Sequence, residues 1–144
     1  MKVLFLDFDG VLNLYPQISR GIDFYKPACV NLELLLKKVP DLKIVVSSAW
    51  RMHGLQYVKN VLQHNGIDPR RVIDITGEEK IGGQPHRGHQ IQCWLVAHPG
   101  VTKFAILDDF SDMEPYMNKL VKTSSYIGLT QANVEKVLEI LDEK

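Results

Sequence analysis

Cysteine is scarce in this chain, with Cys29 and Cys93 the only two among 144 residues. Neither belongs to a CxxC pair, and no Cys/His spacing fits a tetrahedral zinc site, so a disulfide framework and a structural zinc module are excluded. Two isolated thiols on predicted helices read as packing residues in a reducing compartment. An excess of charge is missing too. Seventeen basic residues balance seventeen acidic ones, so no global field draws the chain to nucleic acid or to an anionic membrane. Long apolar runs are absent. The N-terminal run is strand-length, too short for a signal peptide or a membrane span, and the expectation is a soluble cytoplasmic protein with no membrane partner. No internal repeat is visible. A chain of this length is expected to form one domain over residues 1–144, monomeric, burying about 70% of its unfolded surface without staples.

What is present starts with the first thirteen residues, MKVLFLDFDGVLN. The apolar run Val3 to Leu6, with Phe8, is interrupted only by Asp7 and Asp9, and Gly10 follows. A short apolar run ended by a glycine turn reads as a buried strand of a parallel sheet. Open α/β sheets bind ligands outside the carboxyl ends of their strands, which is where these two acids fall.

The remaining chain repeats the strand–helix alternation. After a loop over residues 13–26, Pro27 opens a helix with Val30, Leu32, Leu35, Leu36 and Val39 on its apolar face, ended by Pro40. Ile44-Val45-Val46 reads as a second strand running into Ser47-Ser48-Ala49-Trp50-Arg51. Leu55, Val58, Val61 and Leu62 mark a second helix stopped by Gly66, and Val72–Ile75 reads as a weaker strand. Residues 76–88 read as loop. A third helix carries Ile91, Trp94 and Leu95, and Trp94 is expected in the core. Phe104–Leu107 is a strand running into Asp108, Asp109 and Asp112. Leu120–Lys122 reads as a short strand, and Thr130 caps a last helix with Val134, Val137, Leu138 and Leu141. The pattern predicts a three-layer α/β domain with a mostly parallel sheet of about five strands.

Three strand ends therefore carry polar groups: Asp7 with Asp9, Ser47, and Asp108 with Asp109. In a parallel sheet they share one edge and converge if the strands are neighbours. Clustered carboxylates suit Mg²⁺, a hard cation that prefers oxygen and keeps part of its water. Metal, hydroxyl and one cation together are the equipment of phosphoryl transfer.

Asp7-Phe8-Asp9-Gly10-Val11-Leu12 after an apolar strand resembles the first motif of the haloacid dehalogenase (HAD) superfamily. Ser47 after Ile44-Val45-Val46 resembles its second motif, and Asp108-Asp109 after Ala105-Ile106-Leu107 its fourth. The third motif is a Lys or Arg near the start of the preceding helix, where Arg87 fits and Lys80, seven residues upstream, competes. The fuller strings DGVLN, SSAWR and ILDD are similar to small HAD-domain proteins related to the HAD modules of RNA-repair enzymes. This resemblance implies a Rossmann-like HAD fold and a Mg²⁺-dependent phosphatase acting through a phosphoaspartate. It makes Asp7 the nucleophile, Asp9 the acid and base, Ser47 a donor to phosphoryl oxygens, and Arg87 the cation that offsets their charge. The metal would sit between Asp7, the backbone carbonyl of Asp9, and the fourth-motif acids, with Asp109 favoured, Asp108 close behind and Asp112 third.

The loops over 13–26 and 76–88 are too short for a cap domain, which implies an open site for a phosphorylated small molecule, nucleic-acid end or phosphoprotein. Tyr15, Arg20, Phe24, Tyr25 and Lys26 read either as a flap over the core or as a surface that stacks a base and holds a phosphate. Arg51 is either a phosphate contact or a surface cation packed on Trp50. His86 and His89 flank Arg87, while His53, His64 and His98 belong to no constellation. The alternative to turnover is a HAD-fold module that binds a phosphorylated partner, and transfer to an acceptor other than water is a third outcome.

Overall fold

The computed structural model describes residues 1–16 and 21–143, so Arg20 lies outside the described residues. The main sheet has five strands, all parallel: β1 (Lys2–Leu6), β2 (Leu42–Val46), β3 (Val72–Ile75), β6 (Lys103–Asp108) and β7 (Leu120–Lys122). Their order is β3-β2-β1-β6-β7. The opening strand takes the centre because Val3, Leu4, Phe5 and Leu6 are all completely buried, as a strand covered on both faces requires.

Alternation along the strand divides the core. Leu4 and Leu6 face helices α1 (Lys26–Lys38), α2 (Leu55–His64) and α4 (Gln131–Asp142), through Leu32, Leu35, Val58, Leu62, Val134 and Val137. Val3 and Phe5 face α3 (Arg87–Ala97) with Val45, Ile91, Trp94 and Ile106. The result is a three-layer α/β/α arrangement without a cap. Burying each of these large aliphatic or aromatic side chains is worth roughly 1.5–3 kcal/mol. Among the described residues, no helix is long and apolar enough to cross a membrane.

The predicted elements appear in order, with three differences. Val30 is half exposed, so the first helix turns it away from the sheet. Residues 76–88 contain a small antiparallel hairpin, β4 (Lys80–Ile81) with β5 (Gln84–Pro85). Its turn is Gly82-Gly83, both at positive φ, a pairing suited to two-residue hairpins. Both strands are exposed and two residues long, so no alternating pattern betrayed them. Residues 49–53 form a single 3₁₀ stretch after β2, N-capped by Ser48, whose side chain accepts from Trp50 N.

Candidate active site

Register places the site. Leu6 lies opposite both Val46 and Leu107, so the next residue of each strand reaches the same edge. The ladder continues one step beyond: Asp7 N donates to Leu107 O, Ser47 N to Leu6 O, Thr76 N to Val46 O and Thr123 N to Asp108 O. A row of buried polar residues therefore runs across the carboxyl edge: Thr76, Ser47, Asp7, Asp108 and Thr123. Polar side chains are kept there against the cost of burial, which ordinary core packing does not require.

Asp7 stands at the centre of this row. Oδ1 accepts from Phe8 N at 2.9 Å, and Oδ2 faces Arg87 Nη1 at 3.2 Å. The same guanidinium nitrogen donates to Asp108 Oδ2 at 2.6 Å, while Asp108 Oδ1 accepts from Phe110 N at 2.9 Å. Asp109 lines the cleft, held by Ser125 Oγ at 3.0 Å. One oxygen each from Asp7, Asp108 and Asp109 lie within 4.8 Å of one another. Three carboxyl groups, two of them buried, thus share one guanidinium. Burial and the neighbouring Asp108 push the Asp7 carboxyl well above its ordinary range, with Arg87 opposing and Asp109 adding to the rise. Burial also raises Asp108, against the pull of Arg87. For Arg87, burial works against the charge, but Asp7 and Asp108 more than offset it and hold the guanidinium firmly protonated.

Asp9 points elsewhere. Its Oδ1 accepts from Asn13 Nδ2 and its Oδ2 from Trp50 Nε1, both at 3.1 Å. Asp7 and Asp9 thus line one cleft but have different hydrogen-bond partners. Gly10 follows with φ +86°, and a Cβ there would collide with the Asp109 carboxylate, so the turn needs glycine for both conformation and space. Thr123 Oγ1 ties the turn down by donating to Gly10 O at 2.7 Å.

Arg87 enters from the first turn of α3, and its guanidinium lies 4.9 Å from the centre of the Phe110 ring. His86 is the N-cap, its Nδ1 accepting from His89 N at 3.0 Å. Asp112 accepts from Arg87 N at 3.1 Å. It therefore serves the helix N-terminus and is not in the carboxylate cluster. Lys80 sits on the exposed hairpin. Ser47 is level with Asp7 but fully buried, and its Oγ has no partner among the described residues; Ser48 and Ala49 line the cleft at that point.

Several flanking residues differ from the sequence reading. Arg51 donates to the carbonyls of Ser48 and Gly77 and to Gln90 Oε1, so it clamps the 77–79 segment to α3 and the 3₁₀ stretch. Neither earlier reading of it, phosphate contact or cation packed on Trp50, includes that role. Phe24 is buried against Phe8 and Trp50, whereas Tyr15 and Tyr25 are exposed. His64 contacts Asp23 at 2.6 Å, and His98 stacks on Trp94 beside Asp74, so both have partners that the sequence did not reveal. The contacts of Asn13, Trp50 and Ser125 to the site acids have no signal in the sequence because they arise only on folding; Trp50 is forty-one positions from Asp9.

The cleft between Asp7, Asp9, Tyr15, Arg87, Asp109 and Phe110 measures about 190 Å³. Larger grooves lie elsewhere, one of about 450 Å³ between Lys2, Lys38, Asp41 and Glu135. That groove is lined by acids too, but among the described residues only Asp7, Asp108 and Asp109 bring carboxylate oxygens within 4.8 Å of one another, so chemistry, not volume, marks the site.

Residues 3–134 match the family of HAD domains in Swiss Army Knife RNA repair proteins. The chain belongs to that family. No curated protein and no solved structure matches it. As a HAD domain it carries a phosphohydrolase-type fold, and HAD domains typically use Mg²⁺. The three-carboxylate cluster could hold such a cation. The fit is chemical: an all-oxygen donor set that outnumbers its one guanidinium suits a hard divalent ion, and the Ser47 hydroxyl, partnerless among the described residues, suits a phosphoryl oxygen.

Proposed function

We propose that this HAD domain is a Mg²⁺-dependent phosphomonoesterase that works through a phosphoaspartate on Asp7. The observation that carries the reading is the cluster of Asp7, Asp108 and Asp109 around a single buried guanidinium. Asp7 and Asp109 would hold the cation directly, with the Asp9 backbone carbonyl. Asp108 stands behind them, fully buried and the closer partner of Arg87 Nη1, at 2.6 Å against 3.2 Å for Asp7 Oδ2. When bound, Mg²⁺ neutralises carboxylate and phosphoryl charge and orients the phosphoryl group.

The residues divide the chemistry. An Asp7 carboxylate oxygen attacks phosphorus, forming the acyl-phosphate bond as the ester P–O bond breaks. Asp9 gives its proton to the departing oxygen, then takes one from the water that cleaves the acyl phosphate. Inorganic phosphate and free Asp7 result, so atoms and charge balance. Arg87 keeps the Asp7 carboxylate oriented and offsets charge gathering on the phosphoryl oxygens. Ser47 Oγ supplies one further donor.

For substrate, we favour a phosphate at a nucleic-acid end. The family's association with RNA repair supports it, as do the absence of a cap and the exposed rings of Tyr15 and Phe110 at the cleft, since rings can stack bases. Turnover of an aryl phosphate and of oligoribonucleotide 3′- and 5′-phosphates, with and without Mg²⁺, tests the proposal. Activity should require Mg²⁺ and Asp7; equal turnover by wild type and Asp7→Asn would refute the mechanism.

A further inference from the structure

We propose that Trp50, assisted by Asn13, is a positioning residue that aims the carboxyl group of Asp9 at the leaving oxygen. This rests on the assignment of Asp9 as proton donor. Asp9 lies beyond the end of β1, its backbone bridged to Asn13 and its side chain outside the sheet. One neutral N–H addresses each oxygen: Asn13 Nδ2 on Oδ1 and Trp50 Nε1 on Oδ2. An indole N–H only donates, and an amide NH₂ likewise offers only protons. Each donor occupies one lone-pair direction of its oxygen. The transferable proton is therefore confined to the directions left over, facing away from Trp50 and Asn13.

Both donors are themselves held. The Trp50 ring packs edge-to-face against Phe8 at 5.8 Å and Phe24 at 5.4 Å, and lies near-parallel to Tyr57 at 6.4 Å between ring centres. Its backbone N donates to Ser48 Oγ. Asn13 is buried, and its carbonyl accepts from Gly10 N at 2.7 Å, closing the turn that carries Asp9. The indole thus links the loop after β1 to the loop after β2. A packing role for Trp50 explains the ring contacts. It does not explain why the polar edge of the ring is spent on Asp9.

The leaving group separates the two roles. A nitrophenolate departs without a proton, whereas the alkoxide of a ribose or simple alkyl phosphate needs one from Asp9. Compare kcat/KM of the full chain for 4-nitrophenyl phosphate and for an oligoribonucleotide end phosphate or alkyl phosphate, with Mg²⁺. Trp50→Phe should depress the alkyl value by about 10- to 100-fold more than the aryl value, the size expected for a mis-aimed catalytic group. Replacing Trp50 with 3-benzothienylalanine keeps the bicyclic shape and removes only the N–H. It should give the same selective loss, and it serves where Trp50→Phe folds poorly. Asp9→Asn is the reference. If Asp9→Asn is selective for the alkyl substrate and both Trp50 replacements depress the two substrates equally or not at all, the positioning role is wrong and the Asp9 assignment stands. If Asp9→Asn shows no selectivity, or the wild type turns over neither ester, the proton-donor reading fails and the role of Trp50 fails with it.

Discussion

Asp7 and Asp9 leave the same strand end two residues apart and enter opposite kinds of surroundings. Asp7 is buried among charges: one guanidinium and two further carboxylates. Asp9 is half-buried among neutral donors and rings, with Trp50 and Asn13 on its two oxygens. A buried carboxylate among other carboxylates is costly without a cation, which suits a metal-binding nucleophile. Among the described residues, Asp9 has hydrogen bonds from neutral donors but no ion pair. The difference shows how two identical side chains two residues apart take unlike surroundings once the chain has left the strand.

The sharpest way to break this comparison is Asp7→Asn, which should reduce turnover on the order of 10⁶-fold, as loss of a covalent nucleophile does. The same change should raise the melting temperature in metal-free buffer and abolish the Mg²⁺-induced rise. The sign follows from the shift. A folded-state pKa above the ordinary 3.8 means that this contribution to stability is fully present below pH 3.8 and lost as pH rises through the raised value. Metal-free melts of wild type should therefore show a downward trend above pH 3.8 that Asp7→Asn flattens.

Asp9→Asn should cost about 10²- to 10⁴-fold in kcat/KM on alkyl phosphates, yet keep the Mg²⁺-induced rise in melting temperature. Loss of that rise would place Asp9's carboxylate among the metal ligands and erase the distinction. Arg87→Met tests the ionic side alone. Leaving Asp7 and Asp108 without their cation should destabilise the metal-free protein by about 3–5 kcal/mol in urea unfolding. The smallest effect is expected for Gly10→Ala, at the turn between the two neighbourhoods. A forced positive φ and a collision with Asp109 should cost about 2 kcal/mol or more, read from the same unfolding curves.

Much of the fold was legible because its signals are local. Val3–Leu6 and Ile44–Val46 announce buried strands by composition, and Thr130 announces a helix by its cap, confirmed by a reciprocal capping box with Asn133. The order of the acids along the chain, and their place at strand ends, also needed only periodicity. The β4–β5 hairpin was missed because two exposed residues per strand carry no pattern. Trp50 was read without its role because an indole contact to Asp9 depends on how two loops meet.

The sequence by itself determined that acids and a serine would end apolar strands, since burial of β-branched and aliphatic runs sets where each strand stops. Tertiary structure decided which of those groups share a space. Strand order put β1 between β2 and β6, α3 delivered Arg87 and not Lys80 to Asp7, and Asp112 was drawn off to the helix N-terminus. These choices rest on distances of a few ångströms between residues far apart in the chain, and only the packed sheet and its loops set such distances.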